Sequence, residues 1–257
     1  MPFYQHKSHQ NHSSANLIYG LRPVVEALKA GKEFDRILLQ RDARNEQLRE
    51  LIALARDAGV VVQQVPAEKL DRLTRNNHQG VVAFIAVVTY QPIENILMAA
   101  YEKGKTPLLV ILDRVTDVRN MGAIARTAEC AGADALVVPS RGGAQVNADA
   151  IKTSAGALNT IPVHRSDNLK DTINYLKQSG LTIIAASEHS ATDYYTADFT
   201  QPVAIIMGSE EDGVSPEYLK MADRKVKIPL LGSISSLNVS VAAGILLFEA
   251  VKQRLSR

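Results

Sequence analysis

Four short runs of this chain are aliphatic at successive positions: PLLVILD (Pro107–Asp113), ADALVVP (Ala133–Pro139), LTIIAAS (Leu181–Ser187) and PVAIIMG (Pro202–Gly208). A strand with one face in water alternates apolar and polar residues, so a run without alternation must be covered on both faces. Between the runs lie segments with helical spacing, Val118 to Gly132 and LKDTINYLKQSG (Leu169–Gly180). Doubly buried strands separated by helices specify an α/β fold with a mostly parallel sheet. KVKIP (Lys225–Pro229) and a thoroughly apolar last helix complete the series.

A smaller α/β series precedes it. RPVVEALKAG reads as a helix closed by Gly31, and FDRILLQ as a strand. NEQLRELIALARDAG is an amphipathic helix ended by Gly59, and VVVQQV and VVAFIAVVTY (Val81–Tyr90) are strands. The expected organisation is a disordered leader over residues 1–16, a small domain over 17–90, a connecting helix or linker over 91–106, and a large domain over 107–257. The leader holds three histidines, but their irregular spacing fits an unstructured tail and no metal site.

The single cysteine excludes an internal disulfide and any multi-cysteine metal centre. Cys130 lies in ARTAECAGA and is expected to be a small buried residue. No apolar run approaches the roughly 20 residues of a membrane span, and no signal-peptide pattern opens the chain, so a cytoplasmic, membrane-free protein is expected. The net charge of +2 is uneven: residues 1–90 carry 12 Lys/Arg against 9 Asp/Glu, and residues 91–257 carry 17 against 18. That mildly basic first part suits phosphates and an ordinary solvated surface equally.

In open parallel sheets ligands bind beyond the carboxyl ends of the strands. After PLLVILD comes DRVTDVRNMGAIARTAECAG, in which Asn120 can take an N-cap position, Gly122 can permit a close turn, and Arg126 falls within the next helix. After PVAIIMG comes GSEEDGVS, and after KVKIP comes LLGSISSLN. The first strand lacks G-x-G-x-x-G, no Walker A pattern is present, and the acids of GSEEDG would repel a pyrophosphate. Glu211 and Asp212 read as solvated loop acids. His78 and Gln79 fit RNA contact or capping of the strand from Val81 equally, while His164 and His189 have no partner pattern.

These loops, NMGAIARTAECAG, IIMGSEEDGVS and IPLLGSISSLNVSVAAGILLFEA, resemble in order the three motifs of the SpoU (TrmH-like) RNA ribose 2′-O-methyltransferases. IYGLRPVVEALKAG and NNHQGVVAFIAVV resemble that family's N-terminal RNA-binding domain, itself similar to ribosomal protein L30e. The resemblance runs from Ile18 to Arg254 and is nearest to members that methylate a guanosine ribose of large-subunit (23S) rRNA. It implies a C-terminal SPOUT domain with a deep trefoil knot, a homodimer, no metal, and S-adenosylmethionine as methyl donor. A tRNA-modifying enzyme and a catalytically silent RNA-binding protein are the alternatives.

Carried over by motif, Arg126 is the principal catalytic residue, and Asn120, Glu210, Ser236 and Asn238 shape its site. The donor is expected at Met207, Gly208, Ile228, Leu230, Gly232, Ser236 and Leu237, largely on backbone groups, with Leu237 against the adenine. A role for Arg126 as general base is hard to reconcile with how firmly guanidinium groups hold their proton; holding a phosphate and stabilising an alkoxide needs no deprotonated form. Glu210 is expected to fix Asn120 or a loop backbone.

Overall fold

The computed structural model describes residues 16–41 and 46–256, so the leader up to residue 15, its histidines and Arg44 lie outside the described residues. The chain divides into two compact units, Met1–Val87 and Val88–Arg257.

The first unit runs β1 (Leu17–Tyr19), α1 (Leu21–Lys29), β2 (Phe34–Gln40), α2 (Glu46–Asp57), β3 (Val61–Val65), α3 (Ala67–Leu73) and β4 (Val81–Ile85). Its strands stand in the order β1-β4-β2-β3, with β2 and β3 parallel and β4 antiparallel to both neighbours. Period-two alternation splits the core between the two faces. Ile37, Leu39, Val81 and Ala83 pack with Val24 of α1 and Leu51 of α2, while Leu38, Val65 and Val82 pack with Leu70 of α3. The strand expected to reach Tyr90 stops at Ile85, after which Ala86 N donates to Glu33 O at 2.9 Å.

The second unit contains α4 (Ile93–Glu102), β5 (Leu108–Leu112), α5 (Val118–Cys130), β6 (Ala135–Pro139), α6 (Ala148–Thr153) and β7 (Val163–Ser166). It continues with α7 (Leu169–Gln178), β8 (Thr182–Ala186), β9 (Val203–Met207), α8 (Pro216–Met221), β10 (Arg224–Val226) and α9 (Val239–Leu255). Its six strands are ordered β10-β8-β9-β5-β6-β7, and every pairing is parallel, as unbroken aliphatic runs require. One face of the sheet, through Ile111, Val137 and Ile206, is covered by α4 and α7; α5 and α9 pack together and α9 meets β9.

Two expectations change here. The 91–106 segment is no mere connector: Ile93, Ile96 and Leu97 of α4 are buried in the same cluster as β5 and α7. Short elements that periodicity does not signal, α6, β7 and α8, add to the second unit. The order of the strands turns at β5, with β6 and β7 to one side and β9, β8 and β10 to the other, so a crevice opens at the carboxyl ends of β5 and β9. Among the described residues no helix is long and apolar enough to cross a membrane, and no cluster of His, Cys, Asp and Glu is arranged to hold a metal.

Candidate active site

Sheet register decides which loops meet. Leu112 of β5 pairs with Met207 of β9, so Asp113–Arg114 and Gly208–Ser209 leave the sheet side by side. The second of these chains turns at once: Ser209 N donates to Gly213 O (3.0 Å), Gly213 N to Ser209 O (3.1 Å), and Asp212 N to Ser209 Oγ (3.0 Å). A Cβ on Gly208 would run into the Gly213 carbonyl carbon and Val214 N, so only glycine lets the strand end abut the turn.

Arg114 ties the two loops together. Its Nε donates to Ser215 Oγ (3.0 Å) and Asp113 Oδ1 (3.3 Å), Nη1 to Asp212 Oδ2 (3.0 Å), and Nη2 to Gly213 O (3.2 Å). Asp113, almost wholly buried, accepts from Ser215 N at 2.6 Å through Oδ2. Burial opposes the Arg114 charge, but the carboxylates of Asp113 and Asp212 outweigh it and hold its pKa above the ordinary value. Arg114 has φ 56°, a left-handed conformation that costs a side-chain-bearing residue about 1–2 kcal/mol. Asp212 is thus an exposed loop acid, as expected, and also the ion-pair partner of Arg114. Nothing in the local sequence singles out Arg114, because apart from Asp113 its partners lie about a hundred residues away.

Three of the residues carried over by motif come together. Asn120 Nδ2 donates to Glu210 Oε1, and Asn120 Oδ1 accepts from Asn238 Nδ2 at 3.0 Å. Asn238 in turn caps α9, its Oδ1 accepting from Ser240 N (2.9 Å) and Val241 N (3.4 Å). Side chains from three different loops thus form one hydrogen-bonded chain, and each amide has one orientation that satisfies it. Asn120 is not the N-cap of α5: that is Asp117, which accepts from Arg119 N at 2.8 Å, a bond that holds its carboxyl below its ordinary pKa. Gly122 serves a helix contact and no turn, since a Cβ there would lie 2.7 Å from Thr153 Cβ of α6.

Beside this chain lies a cavity of about 270 Å³ at the carboxyl ends of β8, β9 and β10. Met207, Gly208, Glu210, Ile228, Leu230, Ser236 and Leu237 line it; Gly232 does not. Ser187, Glu188 and His189 also line it. The strand-end rule, applied to LTIIAAS as well, would have found them. Three carboxylates (Glu188, Glu210 and Glu211) face one lysine, Lys227, while Ile228, Leu237, Val239 and Leu246 give an apolar wall. Such a lining disfavours polyphosphate and suits a ligand with a flat apolar part and net positive charge.

Arg126 is exposed on α5, outside the cavity lining and without a hydrogen bond or ion pair among the described residues. Cys130, expected in the core, is exposed at the last turn of α5. Met121, Ile124, Ala125 and Ala128 form the buried stripe, and at 100° per residue position 130 falls opposite it. On α9, Val241, Phe248 and Leu255 recur every seven residues and are 52%, 50% and 81% exposed. In the first unit, His78 spends both ring nitrogens locally: Nδ1 accepts from Gly80 N (3.0 Å), and Nε2 pairs with Asp71 Oδ1 (2.9 Å). Those contacts are the ones expected of a residue that caps the start of β4.

Known proteins share this architecture. Residues 107–248 match the SpoU rRNA Methylase family, and residues 17–91 match a family described as RNA 2′-O ribose methyltransferase substrate binding. A Bacillus subtilis protein named as a TrmH family tRNA/rRNA methyltransferase, YacO, is 34% identical over 237 residues, spanning 92% of this chain and 95% of that one. The SpoU methyltransferase AviRb from Streptomyces viridochromogenes, solved with the cofactor AdoMet, superposes with a TM-score of 0.60 at 29% identity, covering 94% of this chain and 91% of its own. An AdoMet-bound rRNA methyltransferase from Sinorhizobium meliloti gives 0.57 at 28% identity, covering 92% and 87%.

Proposed function

Because the chain belongs to the SpoU rRNA methylase family, we propose that it moves a methyl group from S-adenosylmethionine to a ribose 2′-hydroxyl of RNA, the acceptor being a guanosine of 23S rRNA. The observation that carries this reading is the acid-lined cavity whose Glu210 also anchors the Asn120–Asn238 chain. The residues present fit the donor. S-adenosylmethionine carries a sulfonium and an ammonium against one carboxylate, which suits three glutamates facing one lysine, and its adenine suits Leu237, Ile228 and Leu246. Met207, Gly208, Ile228, Leu230, Ser236 and Leu237 would hold it, whereas Gly232 lies outside the lining and a Cβ there would meet nothing within 4 Å. When bound, it supplies an electrophilic methyl group on the sulfonium.

The chain's own residues do the rest. The reaction needs in-line placement of the hydroxyl and transfer of its proton to solvent water as the oxygen bonds to the methyl carbon and the carbon–sulfur bond breaks. Glu210 and Asn238 hold the Asn120 amide in one orientation at the cavity edge, and Ser236 offers a hydroxyl there. Arg126, with no competing partner among the described residues, is placed to grip the phosphate beside the ribose and to stabilise the oxygen as it becomes anionic. In this reading it acts as a cation.

The first unit, with its match to the substrate-binding family, is assigned the grip on RNA as an L30e-like module. Arg41 and Arg49 are exposed there, whereas Arg36 is withdrawn over the Phe84 ring at 4.5 Å. A knotted path for the last segment and a homodimer belong to the same proposal, the dimer supported by the outer stripe of α9. Calorimetry with S-adenosylmethionine tests the donor site. The wild type should bind one equivalent per chain, and Leu237→Arg should bind none while keeping its circular dichroism. A folded variant with unchanged affinity would remove the 228–238 segment from the site.

A further inference from the structure

The acidic turn Ser209–Gly213 carries Glu210 but has few anchors of its own. Its backbone closes on itself, and Glu210, Glu211 and Asp212 are all exposed. Two things pin it to the sheet. One is the Gly208 contact against Gly213. The other is Arg114, which reaches from the neighbouring strand end to Asp212, to the Gly213 carbonyl and to Ser215 just beyond the turn. Asp113 closes the same junction from beneath, taking both Arg114 Nε and Ser215 N. A left-handed arginine persists only where its surroundings over-determine it, and here each guanidinium nitrogen has a partner.

We infer that Arg114 is a positioning residue for methyl transfer: by clamping Asp212, Gly213 and Ser215 it fixes the turn so that Glu210 meets the Asn120 amide. The chain of action is Arg114 to turn, turn to Glu210, Glu210 to Asn120. This rests on the methyltransferase reading for its effect on rate but not for its effect on the turn. A purely structural role would be to stabilise the fold, and glycine separates the two. Arg114→Gly relieves the left-handed backbone while deleting the clamp, so the fold should survive and only the turn should loosen.

The test uses the full chain and two readouts. In ligand-free protein, amide hydrogen exchange at Asp212, Gly213 and Ser215 should be at least about tenfold faster in R114G than in wild type, with β5 and β9 core amides unchanged. In methyl transfer to rRNA, R114G and E210A should each lower kcat by roughly ten- to a hundredfold with KM for RNA within a few-fold, and the double variant should be little slower than either alone. Unchanged exchange at the turn, or multiplicative losses in the double variant, would overturn the clamp. Wild-type kcat in E210A with accelerated turn exchange in R114G would leave the clamp of the turn standing and sink its link to catalysis through Glu210.

Discussion

Asn238 does two jobs with two atoms, and substitutions separate them. Its Oδ1 caps α9, and its Nδ2 donates to Asn120 at 3.0 Å. Asn238→Ala removes both. Loss of the cap costs about 1 kcal/mol, within a range of roughly 0.5–2. Loss of an exposed neutral side-chain bond adds about 0.5 kcal/mol. A total near 1.5 kcal/mol should lower Tm by about 3–6 °C in a unit of this size. Asn238→Asp keeps the capping oxygen and places a negative charge at a helix N-terminus, which is favourable. It destroys the amide chain, however. Asn120 then faces carboxylates on both sides and can donate to only one of them while its oxygen opposes the other. Scanning calorimetry should therefore find N238D within about 1 °C of wild type and N238A clearly below it, by the reckoning above. Methyl transfer should fall by about tenfold or more in both. An N238D protein as unstable as N238A would refute the capping half; an N238D enzyme at full rate would refute the relay.

Arg126→Ala should leave Tm unchanged, since the side chain is exposed and unpartnered among the described residues, and leave donor affinity within a few-fold; methyl transfer should drop about a hundredfold. A fragment beginning at Val88 should fold and bind S-adenosylmethionine but lose most of its affinity for rRNA, with a flatter salt dependence. A fragment beginning at Gly104 lacks buried Ile93, Ile96 and Leu97, worth about 1.5–3 kcal/mol each, and should fail to give a cooperative melt. Asp223 pairs with Lys177 (2.7 Å) and accepts from Ile183 N (2.8 Å). Burial works against its charge, but these partners hold its pKa below 3.8. Its contribution is thus present above pH 3.8 and lost as pH falls through the lower folded value. The unfolding free energy of Asp223→Asn from urea melts should trail wild type at pH 7 by less than about 1 kcal/mol, and the gap should close in acid; a constant gap would contradict this.

The parallel sheet was legible because burial on both faces writes itself into LLVIL, ALVVP and VAIIM as missing alternation. The last helix and the turns after β5, β9 and β10 were legible for similar local reasons. What stayed hidden depends on distance along the chain. Arg114 acquires its role only because β5 and β9, far apart in sequence, are neighbours in register. Whether an apolar helix such as α4 joins a core or bridges two of them depends on what it packs against, which its own sequence does not state. β7, with four residues and polar positions, and α6, with six, are too short for periodicity to speak. Cys130 was readable and misread: composition suggested burial, whereas the helical angle placed it outward.

The measurement that bears most directly on the whole account is nucleoside mass spectrometry of rRNA and tRNA incubated with the protein and S-adenosylmethionine. The RNA should come from a strain lacking the modification. The expected product is 2′-O-methylguanosine, appearing at one position of 23S rRNA with wild-type protein and reduced at least about tenfold with Asn120→Ala. Methylation of tRNA alone would move the substrate. Full activity in the Asn120→Ala protein, or no methylated ribose in either RNA with wild type, would contradict the site itself.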